Sequence, residues 1–243
     1  MDTKELLSVA APLINDLGAA FYFVPETGQV GKDLGLNGME FYILGRGGSL
    51  GDCDPALVSS AFGYFNPAVI AGVWNGARDK VAPRRAAEAH LECCAAFGRA
   101  KLEGLDLAAF VAAAEKVNTA ADPDSLALYA GISSLDLATD PSGRAMQLIA
   151  VLREFRGSAH LAALRAAGID SKTAHHIKRP DMVAMFGWGP DDAPTTGPDE
   201  EARLARAEEI TDSIVAPAFS VLDNAERTAL VDGLRAIAAR VKG

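Results

Sequence analysis

Apolar residues recur every three to four positions in one segment of this chain after another, and no segment alternates as a half-buried strand would. The pattern therefore predicts a mainly α fold. Near the N-terminus Leu6, Leu7, Ala10, Leu13, Ile14 and Leu17 share one face, behind Asp2 and Glu5 at capping-box spacing. Pro12 lies inside that helix and is expected to kink or split it. Short helices are predicted over residues 27–34 and 39–44. Asp54-Pro55 and Asn66-Pro67 each put a capping side chain ahead of a proline, the order that starts a helix. Pro83 opens a long helix to residue 102, and others are predicted over 105–118 and 125–132. Asp140-Pro141-Ser142-Gly143 is the sharpest break. It divides the chain into two expected helical lobes, an N-terminal domain over residues 1–140 and a C-terminal domain over 141–243.

The C-terminal lobe is built around residues 146–179. Met146, Ile149, Leu152 and Phe155 keep helical spacing, and Gly157-Ser158 then reads as a break with Ser158 as the cap of a new helix over 159–167. Gly168 is suited to close that helix, because glycine enters the left-handed region without strain. Asp170 or Ser171 caps a third short helix ending near Lys178. This is the order of a helix-turn-helix unit. Residues 189–200, GPDDAPTTGPDE, form an acidic loop, and two amphipathic helices are predicted over 200–216 and 224–241.

Charge and composition narrow the chemistry. The chain has 243 residues, a formal net charge of −9 and 49% hydrophobic residues. An acidic protein repels a phosphate backbone, so nucleic acid is not the expected partner. The three cysteines, Cys53, Cys93 and Cys94, have neither disulfide nor zinc spacing and are expected to be reduced thiols of a cytoplasmic protein. The N-terminus does not read as a signal peptide, and no apolar run is long enough to span a membrane. Neighbouring His175 and His176 point about 100° apart on a helix, which argues against a shared metal. No cofactor is identified, and nothing resembles a nucleophile elbow.

Arg153, Arg156 and His160 converge at the expected helix start, where free N–H groups would add positive character. They are the first candidates for contacting a small anionic or amphipathic molecule. The alternative is internal: Arg153 and Arg156 pairing with Glu208 and Asp212. Gly45-Arg46-Gly47-Gly48-Ser49-Leu50-Gly51 reads as a glycine-rich loop without a P-loop lysine, and Arg46 is a second anion-contact candidate unless one of the protein's own carboxylates claims it. Tyr22, Tyr64 and Asn66 bring polar atoms into apolar surroundings and either line a cavity or satisfy neighbours. The competing expectation is a transcriptional regulator reading DNA with Lys172, His175, His176, Lys178 and Arg179, a helix face without acids. Against it stand the net charge and the five carboxylates of residues 191–201. The alanine-rich C-terminal helix offers a surface for a homodimer.

Several motifs carry a family resemblance: FYFVPE at 21–26, FYILGRGGSLG at 41–51, FGYFNPAVI at 62–70, LREFRGSAHLAALRAAGI at 152–169, FGW at 186–188 and EEITDSIVAPAFSVL at 208–222. In this order they resemble an actinobacterial family described as SalK-like or simply as helix-turn-helix. The resemblance implies a helix-rich, winged-helix-related fold and no established reaction. The family's central motif reads roughly REHRGDGH, and here Phe155 and Ser158 stand where it has a second histidine and an acid. The fuller helix and wing-like turn usual after the Gly-Trp pair are shortened here to the acidic loop 189–200, which leaves a degenerate winged helix. The combined expectation is a ligand-binding protein with an apolar, aromatic pocket and a cationic corner between two lobes, with the regulator as the alternative.

Overall fold

The computed structural model describes residues 1–242, and the fold is mainly α. Among the described residues twelve α-helices follow one another and no strand occurs: α1 Thr3–Gly18, α2 Pro25–Asp33, α3 Gly38–Gly47, α4 Pro55–Phe62, α5 Pro67–Arg78, α6 Pro83–Lys101, α7 Ala108–Ala120, α8 Ala127–Ser133, α9 Pro141–Ala166, α10 Ser171–Lys178, α11 Pro198–Ser220 and α12 Asn224–Lys242. No described helix is long and apolar enough to cross a membrane.

The helix starts follow the predicted signals. Asp2 accepts from the Glu5 N–H while the Glu5 carboxylate accepts from the Asp2 N–H, both at 2.8 Å. Asp54, Asn66 and Asp140 each accept a first-turn N–H, with proline following at the first helical position. Pro12 does not split α1, which runs through it. Residues 182–186 form turns rather than a helix, and they carry Phe186 back onto Phe65, ring to ring at 4.0 Å.

Helix α9 is the axis of the molecule. Its 26 residues span about 39 Å at 1.5 Å per residue. Ala145 to Leu152 are buried without interruption, because α1, α6, α7, α8 and α11 surround this length of the helix. Burial on all sides corrects one expectation. Gly157-Ser158 does not break the chain; α9 runs through it to Ala166. A glycine inside a helix costs about 1 kcal/mol against alanine, which the burial of Phe155, Ser158 and Ala159 on neighbouring turns outweighs. The helix-turn-helix element therefore consists of the end of α9, a turn at 167–170 and α10. Gly168 occupies the left-handed region at φ 76°, and Ile169 N–H closes the turn on the Leu164 carbonyl at 3.1 Å.

The break at 140/141 is a helix start and does not divide the core. One hydrophobic cluster joins Leu6, Trp74 and Leu91 from one side of it to Met146, Phe219 and Leu234 from the other. A second, smaller hydrophobic cluster of Ala163, Leu164, Ile169, Ala174, Leu204 and Ala207 sits at the junction of α9, α10 and α11. A seam runs between the main core and this smaller cluster.

The glycine-rich segment is likewise helical: α3 continues to Gly47 and passes into a 3-10 turn over Gly48–Leu50. Its glycines serve close approach. A β-carbon on Gly45 would stand 2.7 Å from His90 Cβ, and one on Gly48 would land on the Pro83 carbonyl oxygen. Helix α6 can therefore lie directly against α3.

His90 is enclosed by the rings of Phe21 at 4.9 Å and Phe41 at 5.3 Å, and its Nε2 has no partner among the described residues. Burial, and secondarily the Arg46 charge, push the imidazole down to about 3, although Glu154 pulls the other way. A histidine whose folded value lies below its unfolded one near 6.5 contributes stability that is complete above about pH 6.5. That stability is lost as the pH falls toward 3, because only the unfolded chain takes up the proton. The urea midpoint is therefore expected to fall between pH 7 and pH 5, and less steeply in His90→Gln. Equal slopes for the two proteins would show that His90 does not govern this pH dependence.

Candidate functional site

A cavity of about 390 Å³ opens along the seam, between α3, α4 and the 63–65 turn on one side and α9, α10 and the start of α11 on the other. Its innermost wall is an ion cluster on Glu154, a carboxylate on the buried face of α9 that is only 4% exposed. The Arg46 side chain, from α3, holds it side-on, with Nη2 2.9 Å from Oε2 and Nε 3.2 Å from Oε1. Arg153 Nη1 donates to Oε1 at 2.9 Å, and the Tyr22 hydroxyl donates to the same oxygen at 3.1 Å. Burial alone would raise the Glu154 carboxyl, but the charges of Arg46 and Arg153 outweigh it and hold the group at about 2. Arg46 also donates to the Tyr42 hydroxyl at 2.6 Å and lies over the Phe62 ring, its guanidinium carbon 4.6 Å from the centroid. Two guanidiniums face one carboxylate here, so the cluster keeps an excess positive charge.

One helical turn on, Arg156 donates to Glu208 at 2.8 Å and Asp212 at 3.3 Å, both on α11. Lys178 reaches Glu208 at 3.3 Å. The internal lock envisaged from the sequence thus forms for Arg156 but not for Arg153, which turns to Glu154 and Tyr22.

His160 has a defined tautomer. The Thr211 hydroxyl donates its only proton to the Ala207 carbonyl at 2.7 Å, so it can only accept from His160 Nδ1, 2.8 Å away. Nδ1 therefore carries the hydrogen. Burial, and secondarily Arg156 and Lys178 against the pull of Glu208, lower the ring's pKa. The ring is then neutral at pH 7, and Nε2 is an acceptor.

Aromatic rings cover the opposite side. Phe65, Phe186 and His175 stack in succession, with Phe186 4.2 Å from His175, and Tyr64 flanks His175 at 5.9 Å. Four of the lining residues carry buried polar atoms without a partner among the described residues: Arg153 Nε, Arg156 Nε, Ser158 Oγ and His175 Nε2.

Of the residues singled out from the sequence, Arg46, Arg153, Arg156, His160 and Tyr64 meet at this cavity. They do not meet at a helix start. Arg153 to His160 lie within α9, so their backbone N–H groups belong to the helical ladder and offer an anion nothing. Tyr22 stands behind the wall, engaged with Glu154. Asn66 caps α5 and donates to the Gly187 carbonyl at 3.0 Å, away from the cavity.

The residues considered for DNA divide. His175, Lys178 and Arg179 line the same cavity. Lys172 instead covers the Trp188 ring at 4.6 Å, and His176 bonds the Lys172 carbonyl at 2.8 Å. Glu154 and Ser158 were missed as site residues. The available signal was polarity on the buried stripe of a helix: both fall at positions shared with Ala150 and Val151.

The description of a helix-turn-helix family matches residues 9–243 of the chain. No curated protein and no solved structure matches it.

Proposed function

The chain belongs to that helix-turn-helix family, and from this premise we propose that its α9–α10 unit serves as one wall of a small-molecule site. We further propose a closer kinship with the SalK-like proteins and a cytoplasmic setting in which Cys93 and Cys94 stay reduced. The observation that carries the ligand-binding reading is the composition of the cavity wall. Five cationic side chains, Arg46, Arg153, Arg156, Lys178 and Arg179, line a space of about 390 Å³ against Glu154 and Glu208, with Asp212 and Asp181 flanking it, which leaves one positive charge over and the buried Nε atoms of Arg153 and Arg156 without partners among the described residues. That volume falls in the range of small-ligand pockets. Aromatic rings supply the apolar remainder, and His160 Nε2 offers a lone pair to a ligand hydrogen. The partner of such a wall is an organic anion with an apolar body.

Thermal shift and calorimetry with short alkyl and aryl carboxylates test this. Binding is expected, and Arg156→Gln should weaken it about tenfold, since one charge-assisted hydrogen bond is worth about 1.5 kcal/mol or more. If no carboxylate shifts the melting temperature, this reading falls.

A second reading, a transcriptional regulator, has the family and the acid-free helix α10 in its favour. Lys178 is 58% exposed yet paired with Glu208, Arg179 is paired with Asp181, and the acidic loop lies within reach of Lys172. Retention of the protein's own upstream DNA at low salt would support the regulator. The cavity reading by itself predicts none.

A further inference from the structure

We propose, building on the carboxylate site above, that its ligand is a long unbranched carboxylate whose tail passes Leu161 into a second cavity. That cavity measures about 420 Å³ and lies beside the first, sharing Ala61, Leu128, Ser158 and Leu161 with it. The two differ sharply in charge. The first gathers the cationic side chains and both acids, whereas Arg165 is the one charged residue lining the second. Leu50, Cys53, Leu57 and Ala162 make its wall largely apolar.

This polarity sets a direction. The head of an amphipath is held at Arg153 and Arg156, whose buried Nε atoms have no partner among the described residues, and its tail leaves water on the far side of Leu161. Leu161 is the large, half-buried side chain at the boundary, pressed against Gly63 so closely that a β-carbon there would strike its Cδ2. Gly63 thus leaves Leu161 room at the crossing. Leu57, 60% exposed, gives the far cavity an apolar rim that the protein itself leaves uncovered.

Calorimetry with hexanoate, octanoate, decanoate, dodecanoate and tetradecanoate, each below its micelle concentration, reads the second cavity directly. Affinity is expected to rise up to about fourfold per methylene, the transfer free energy of a buried CH₂ being about 0.8 kcal/mol. It should level off once the second cavity is full. In Ala162→Trp, which fills that cavity from an exposed position on α9, the rise should stop at a shorter chain. The matched alkyltrimethylammonium ions should not follow the series. If octanoate binds but longer chains bind no tighter, or if Ala162→Trp keeps the wild-type length profile, the tail channel is overturned while the carboxylate site stands. If no carboxylate of any length binds, the underlying site reading fails and the channel with it.

Discussion

Glu154→Gln is expected to lower the folding free energy by about 3–5 kcal/mol, the range seen when one partner of a buried ion pair is removed. Among the described residues the carboxylate is the only acid in contact with Arg46 and Arg153, both largely buried, and it also accepts from the Tyr22 hydroxyl. Glutamine keeps the shape and one acceptor oxygen but leaves two guanidiniums facing each other without compensation. A domain is stable by only about 5–15 kcal/mol in total, so the variant should unfold at a much lower urea concentration. The pH profile supplies a second readout. A carboxyl held at about 2 contributes stability that is complete above its ordinary value near 4.5 and is lost as the pH falls toward 2. That acid-side decline should be shallower in the glutamine variant. Replacing Arg46 with methionine on top of Glu154→Gln removes one of the stranded charges and should restore part of the loss. A Glu154→Gln protein as stable as the wild type would mean the cluster does not hold the seam together.

How much of this was visible in the sequence depends on the range of the interaction. Helix starts are local, and Asp54-Pro55, Asn66-Pro67 and Asp140-Pro141 announce themselves within two residues. The pairing of Arg156 with Glu208 and Asp212 was legible as charge complementarity, because a cationic helix face needs an acidic one. The continuity of α9 across Gly157-Ser158 was not, since it depends on helices distant in sequence packing around it. The same holds for the helical form of residues 45–50. Gly-rich composition reads as a loop locally, yet each glycine is placed by a neighbour on α4, α5 or α6. Five predicted site residues do converge, and the three on α9, Arg153, Arg156 and His160, do so for a reason other than the one inferred: side chains of a continuous helix at a seam, not backbone N–H groups at a helix end. The arginine–glutamate–tyrosine cluster joins residues more than a hundred positions apart, and no local pattern specifies that.

Two glycine-to-alanine substitutions should separate with opposite sign, and Gly48→Ala carries the larger effect. Gly48 has ordinary helical angles, φ −63° and ψ −17°, so backbone propensity by itself favours alanine there. The new β-carbon, however, would fall on the carbonyl oxygen of Pro83, which is backbone and cannot rotate away. Relief requires the end of α3 and the start of α6 to separate, and Trp74, Leu91 and Ile43 share the core there. Forcing atoms into a filled core costs about 1–3 kcal/mol, and a contact this close between two backbones belongs at or beyond the upper end. A fall in melting temperature of about 6–12 °C is expected, at 2–4 °C per kcal/mol for a chain of this size. Gly157→Ala, in the exposed turn of α9 with nothing near its β-carbon, should instead gain about 0.5–1 kcal/mol. The pair shares one chemical change, so the contrast isolates packing from propensity. If Gly48→Ala melts with the wild type, α3 and α6 do not cross at contact distance, and the wall that positions Arg46 over Glu154 loses its support.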